Sequence, residues 1–555
     1  MSSEVSRAET QAPPTPGPAA GSGGAVQGSS STGTGTLLRF AVRRERFGLP
    51  WWLLATGVLL GFQSVSSQRF YDTPAKLAQF RETMGANAAA VAMAGPTRLL
   101  DTIGGEVLFE IFAYLAVVVA LMNMFLIGRH TRSDEETGRG ELIRSARVGR
   151  RAPVLAALAL AMLADIAVLV VVFAVAVATG LPVPGSLLLG VSLAGIGLTF
   201  AALTAVAAQV FENPRSVYGS VALAVAAAYM ARAIGDVGNG TLSWLSPIGW
   251  GQRTYPFVVD RWWPVLLFAL AALVLIGIAF ALLERRDFGA GLLGYAAGRP
   301  EASWLLGSPL GLAWRLQRGS LAGWCFGVFV LGAAYGSVAD SIEQFLADNP
   351  EIANYLPGGA ADAVDSYLAL TLSLSGLLAG AYGITSVLRV RAEETSGRAE
   401  PVLAAPVSRL GWFFSQTAIA FAGSALVLVC GGFGEGLAYA LTVGEPTQLP
   451  RLVGSALVYL PAAWLVVAVA IAAAGWVPAV AAPVAWTVFA YFIVAVLFAD
   501  SFDLPSWFAD ASPYTHLPQA PLAAVTVTPI LIVAAVAAAG TVAGAAGVRA
   551  RDIGY

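Results

Sequence analysis

Twelve apolar stretches dominate this 555-residue sequence, and each is long enough to matter. They lie near 50–67, 105–128, 152–179, 185–210, 216–234 and 262–283, and again near 320–338, 366–388, 411–440, 452–474, 478–499 and 525–547. Crossing the hydrocarbon core of a bilayer takes about 20 mostly apolar residues in a helix. Hydrocarbon supplies no hydrogen-bond partners, so each crossing segment must satisfy its own backbone, which only a helix does alone. With 57% hydrophobic and 12% charged residues, the chain carries about half the charge of a soluble one. The pattern predicts an all-α membrane protein of about twelve transmembrane helices, six and six. The ninth stretch is expected to break near Gly431-Gly432.

Several chemistries are excluded early. The net charge is −2, from 32 basic and 34 acidic residues, so nothing favours a nucleic acid or another polyanion. Lys76 is the single lysine, and it sits in Pro74-Ala75-Lys76-Leu77 rather than in the Gly-Lys-Ser/Thr of a phosphate-cradling loop. The chain therefore carries no P-loop ATPase site. His130 and His516 are far apart in sequence, as are Cys325 and Cys430. The expectation is no metal centre, no catalytic triad and two buried, reduced thiols with no redox partnership.

Three separate markers indicate a duplication. Arg132-Ser-Asp-Glu135-Glu136-Thr-Gly138-Arg139-Gly-Glu141 follows the second stretch, and Arg391-Ala-Glu393-Glu394-Thr-Ser-Gly397-Arg398-Ala-Glu400 follows the eighth, 259 residues later. Arg286-Asp-Phe-Gly and Arg551-Asp-Ile-Gly close the two halves at an offset of 265, and Ser246-Pro247 and Ser512-Pro513 recur at 266. An even number of spans per half makes the repeats parallel. The expected units are a disordered tail at 1–36, with no signal-peptide pattern, and a first six-helix half at 37–283. A linker with a second lead-in helix at 284–319 and a second half at 320–555 follow. Arg39, Arg43, Arg44 and Arg46, set among Leu37, Leu38, Phe40, Val42 and Phe47, predict an amphipathic lead-in helix on the membrane surface.

Arginine placement sets the expected orientation, because basic residues stay cytoplasmic. The 129–151 loop has seven arginines and the 389–409 loop four, whereas 338–365 and 500–526 have neither Lys nor Arg. Both termini, both repeated loops and the linker are expected in the cytoplasm of a cell whose plasma membrane holds the protein. The 68–104 loop, with Arg69, Lys76, Arg81 and Arg98, opposes that assignment weakly.

A loop that repeats acid, acid, Gly-Arg and Glu suits a short surface helix docking on a soluble partner, where complementary charge sets register. Two six-span halves, a surface helix before each first span and Glu-rich Gly-Arg-x-Glu loops after each second span resemble the ABC-2, type V exporter-like, class of ABC-transporter permeases. More narrowly, they resemble the fused two-half actinobacterial permeases of polyketide-antibiotic (tetronasin-type) exporters. The resemblance covers about residues 37–555. It implies that Glu135, Glu136, Gly138, Arg139 and Glu141, and then Glu393, Glu394, Gly397, Arg398 and Glu400, form two ATPase-coupling helices. It also implies two copies of a separate ABC ATPase subunit, with ATP and Mg bound there and no cofactor in this chain. The two loops differ where Glu136 faces Thr395 and Leu142 faces Pro401, which predicts docking of unequal strength.

Ionisable residues inside apolar stretches are the second functional flag, because their burial in hydrocarbon is costly. Glu106 and Glu110 lie one turn apart early in the second span, Asp165 midway along the third and Glu435 late in the ninth. They either line a substrate path or bind a cation; otherwise, Glu106, Glu110 and Glu435 are hydrated helix ends and Asp165 an interhelical hydrogen bond. Arg232 either pairs with an acid or reaches to the outer face. The Trp-, Pro- and Tyr-rich segments 235–261 and 500–524 are expected to form short helices capping the outer end. The resulting expectation is the permease subunit of an ATP-driven exporter of hydrophobic or amphipathic compounds. An ion-coupled secondary transporter is the alternative.

Overall fold

In hydrocarbon every apolar stretch has to close its own backbone hydrogen bonds, and in the computed structural model all twelve do so as helices. The structure describes residues 30–287, 289–293, 300–339, 363–498 and 505–551. The spans are Gly48–Phe70, Ile103–Arg129, Ala152–Ala178, Val183–Val210, Pro214–Val237 and Val265–Arg285 in the first half. In the second they are Pro309–Val338, Ala363–Thr395, Arg409–Val443, Gln448–Trp476, Pro478–Leu497 and Val527–Ala550. Among the described residues there is no strand, only an isolated bridge between Phe211 and Leu293.

Each half has its own core. Leu108, Phe112, Val119, Leu193, Ile196 and Phe200 fill the first, where the second and fourth spans meet. Leu372, Ile384, Phe413, Val427 and Val467 fill the second, around the eighth, ninth and tenth. Between the halves, the short helix Ala88–Ala94 packs against the seventh span.

Several expectations change on contact with the structure. The ninth span does not break at Gly431-Gly432 but runs unbroken over Arg409–Val443. Glycines on both the seventh and ninth spans serve close packing: a Cβ on Gly434 would stand 2.2 Å from the Phe329 carbonyl oxygen, and one on Gly336 of the seventh span 2.1 Å from that of Glu435. Small residues let the seventh and ninth spans touch backbone to backbone. The second lead-in helix is not a separate element. Pro309–Val338 runs straight from the linker into the seventh span, started by Ser308, whose Oγ accepts the Gly311 N–H at 3.1 Å. The tail boundary also moves back, since helix begins at Thr34 and the Ser30 and Thr32 carbonyls accept the Arg151 and Gly149 N–H groups, both at 2.9 Å.

Cys325 and Cys430, distant in sequence, lie on the seventh and ninth spans, which pack against each other. Both are free thiols. Short helices do form at the end of the bundle opposite the lead-in helix, at Leu242–Leu245, Pro247–Gln252 and Ser506–Asp510. The Ser246 hydroxyl caps the second of these. Most of the Lys- and Arg-free 338–365 segment lies outside the described residues, as do the tail to residue 29 and the Asp552 marker.

Candidate functional site

Both repeated loops are built in the same way. After the second span a short helix, Arg132–Glu136, turns at Gly138 into a second, Arg139–Arg144. After the eighth, the span itself runs on to Thr395, turns at Gly397 and continues as Ala399–Leu403. Gly138 has φ +73° and Gly397 φ +71°, the left-handed region where glycine alone pays no steric penalty. The Gly138 and Gly397 N–H groups donate to the Glu135 and Glu394 carbonyls at 3.2 and 3.1 Å.

The two glutamates preceding these turns point inward. Glu135 accepts from Arg286 at 2.6 and 3.1 Å and from Arg132 at 2.8 Å. Glu394 accepts from Arg551 at 2.7 and 2.9 Å and from Arg391 at 3.3 Å. The first and second repeat markers therefore meet in space: the loop acid is clamped by the arginine that ends the last span of its own half. Arg132 also donates to the Ala290 carbonyl at 3.0 Å and to that of Ala208. Charge-assisted, bidentate pairs of this kind fix geometry.

The outward-facing set is smaller than the sequence alone suggested. Glu136, Arg139, Glu141 and Leu142 are exposed in the first loop, and Thr395, Ser396, Arg398, Glu400 and Pro401 in the second. Arg139 stands 3.7 Å from Asp134 and Arg398 3.9 Å from Glu393. Glu393, Glu394 and Glu135 are held within the chain, so their carboxylates are not free for a partner.

A further clamp belongs to the first loop alone among the described residues. Arg44 on the lead-in helix binds Asp134 at 2.8 and 2.9 Å. Glu45, buried at the end of that helix, accepts from Arg129 at 2.9 Å through each oxygen and lies 2.9 Å from His130 Nε2. Burial alone would raise the Glu45 carboxyl; the His130 hydrogen bond and the Arg129 and His130 charges outweigh it and hold it below its ordinary 4.5. Sequence reasoning missed Arg286, Arg551 and this Glu45–His130 contact as site residues. Its available signal was the repeat of Arg286 and Arg551 at nearly the loop offset.

The intramembrane acids do not form one group. Glu106 is fully buried, with neither carboxyl oxygen hydrogen-bonded. Glu110 accepts from Gln63 of the first span. Glu435 is also fully buried, and its Oε1 accepts from Thr371 at 2.6 Å. Helix packing encloses Glu106 and Glu435, so these two are not hydrated helix ends; Glu110 is half-buried. Tyr114 is 43% exposed. In the other half Tyr335 and Tyr367 meet edge to face at 6.4 Å, and the Tyr367 hydroxyl donates to the Tyr335 carbonyl at 3.3 Å. Asp165 stands apart, on the outer side of the first half, where Asn123 donates to its Oδ1 at 2.7 Å. Arg232 neither pairs with these acids nor reaches outward. It is buried, 3.7 Å from Asp236 and 3.0 Å from the Met93 carbonyl.

No group of three or more His, Cys, Asp or Glu among the described residues could hold a metal ion. Residues 306–549 match the family model described as the C-terminal domain of the multidrug efflux system permease Rv1217c. The whole chain is similar to the multidrug efflux system permease protein Rv1217c of Mycobacterium tuberculosis (strain ATCC 25618 / H37Rv), with 38% identity over 531 residues, covering 95% of this chain and 96% of that one. By that extent of identity the chain belongs to the Rv1217c-like family of multidrug efflux permeases.

Proposed function

We propose that this chain is the membrane-spanning permease subunit of an ATP-driven exporter of hydrophobic or amphipathic compounds, polyketide antibiotics among them, powered by two copies of a separate ABC ATPase subunit. The observation that carries the proposal is the pair of loops with exposed Gly-Arg-x-Glu tips, each tied through a buried glutamate to the last span of its half. A push on the tip is passed by a rigid, charge-locked elbow to the span end, which is what converting closure of a soluble dimer into movement of two membrane halves requires. ATP and Mg belong to that partner, and this chain binds no cofactor of its own. The loops and both termini face the cytoplasm of the plasma membrane. Glu110 lines the substrate path between the halves, with Tyr114, Tyr335 and Tyr367, and Glu435 lies enclosed behind it. The apolar surface there retains lipophilic molecules by burial, at about 25 cal/mol per Å². The name of the mycobacterial relative supports efflux of drugs.

The experiment is co-purification of the permease with the ATPase subunit of its own cell, followed by efflux assays in vesicles. Arg139→Glu combined with Arg398→Glu is expected to abolish association and cut efflux more than tenfold while the membrane part unfolds at an unchanged temperature. Efflux that persisted without any ATPase and collapsed with the proton gradient would overturn the proposal in favour of ion-coupled transport.

A further inference from the structure

Asp165 is the 14th residue of the 27-residue third span, about 20 Å of helix rise from either end. Its side chain is the polar member of an otherwise apolar groove of about 230 Å³ between the third, fourth and sixth spans. Met162, Ile166, Leu169, Leu198 and Phe268 supply much of the rest of the lining. The groove opens away from the surface between the halves: Met162 and Ile166 are half exposed on the outside of the bundle, where lipid would lie.

Asp165 itself is only 3% exposed. Asn123 satisfies Oδ1, but Oδ2 has no hydrogen-bond partner. The surrounding helix makes room for this carboxyl, since a Cβ on Gly197 would lie 2.1 Å from Oδ1. An acceptor left unmatched in hydrocarbon costs several kcal/mol. Asp165 thus lines the groove with one oxygen satisfied and the other buried without a partner.

We propose that this groove is a binding site for lipophilic amines entering from the bilayer. The amine N–H donates to Asp165 Oδ2, and the hydrocarbon body lies along Met162, Ile166, Leu198 and Phe268. The match is one of complementarity. The groove offers apolar walls and a single acceptor, and an aliphatic amine offers an apolar body and a donor. A neutral alcohol or ether isostere lacks either the charge or the donor, and a carboxylate would be repelled. Asn123 holds Oδ1, and the buried, unpartnered Oδ2 is left for the amine. The site is separate from the path assigned to Glu110, and it does not depend on an ATPase.

The test uses the full chain in lipid nanodiscs, without partner subunits, and a photoactivatable diazirine on a long-chain secondary amine. The same scaffold with an ether oxygen in place of nitrogen is the control. The amine is expected to label peptides containing residues 162–169 and 194–198 saturably, and unlabelled amine to compete. Asp165→Asn, which keeps shape and can still accept from Asn123, should cut saturable labelling at least tenfold, and Asp165→Glu should restore part of it. Leu198→Trp, which fills the groove and leaves Asp165 in place, should abolish labelling even if the aspartate variant folds poorly. Equal saturable labelling by amine and ether, or amine labelling unchanged in both Asp165→Asn and Leu198→Trp, would overturn the proposal. Because the readout is binding to the permease alone, its failure leaves the exporter reading standing. Failure of ATPase co-purification likewise leaves this site standing.

Discussion

In the first polar loop Glu135 is gripped by Arg286 and Arg132, and the loop is tied a second time to the lead-in helix through Arg44–Asp134 and Glu45–Arg129. In the second loop Glu394 is gripped by Arg551 and Arg391. At the offset of 259 that aligns the loops, Glu45 corresponds to Trp304, which is 86% exposed. His130 corresponds to Arg389, which stands 3.6 Å from Glu393 on its own helix. Among the described residues, the lock between loop and last span thus occurs in both halves and the lead-in clamp in one. A lock present twice marks what each half needs for its own movement; a clamp present once marks a difference in how firmly the two loops are held. Under the exporter reading, the first loop is the stiffer lever.

The largest effect is expected from Glu135→Ala. It strands two guanidiniums that are almost wholly buried, and breaking a buried pair by removing one partner costs about 3 kcal/mol or more. Thermal unfolding in detergent should show it, and amide exchange over 132–144 should speed up sharply. Arg286→Glu in the same background removes one stranded cation and sets a carboxylate near Arg132, so it should recover part, as should Glu135→Arg with Arg286→Glu. Glu394→Ala is expected to cost less, about 2 kcal/mol, because Arg551 and Arg391 keep some access to water. A second-loop loss equal to or larger than the first would show that the two locks do not differ as their exposures indicate.

How much of this was legible in the sequence follows from what a repeat can say. Hydropathy located all twelve spans because the bilayer imposes a length and an apolar composition on each one separately. The duplicated acids and arginines stood out for the same local reason. Equivalence between copies is not contact within a copy, however, so nothing in the offsets placed Arg286 on Glu135 across 151 residues. The same gap hid the burial of Glu106 and Glu435, which depends on which faces of neighbouring helices meet. Gly431-Gly432 was misread because glycine weakens a helix in water but allows close helix contact in a membrane protein.

The lead-in clamp gives a medium effect confined to one half. Glu45→Gln should cost about 1 kcal/mol, since Arg129 is partly exposed and regains water, and it should speed amide exchange over 34–45 while leaving 309–320 unchanged. Acid should act on the same contact. The Glu45 carboxyl is held below its ordinary value of 4.5, so its contribution is complete above that pH and is lost as pH falls through the lowered value. Exchange over 34–45 should therefore rise only below about pH 4.5 in the native protein, and the Glu45→Gln variant should show no such step.

The smallest stability effects belong to the exposed tips, and they separate the loops once more. Arg139 and Arg398 are each more than half exposed and stand 3.7 and 3.9 Å from their acids, a geometry worth little in water. Arg139→Ala leaves Asp134 still held by Arg44 at 2.8 Å, so its cost should be close to zero. Arg398→Ala leaves Glu393 with Arg389 at 3.6 Å, so its cost should be slightly larger, up to about 0.5 kcal/mol. Neither should change exchange in the spans. If either substitution lowered the unfolding temperature as much as Glu394→Ala does, that arginine would be part of the internal lock. The surface assigned to a partner would then shrink to Glu136, Glu141 and Leu142 in the first loop and Thr395, Ser396, Glu400 and Pro401 in the second.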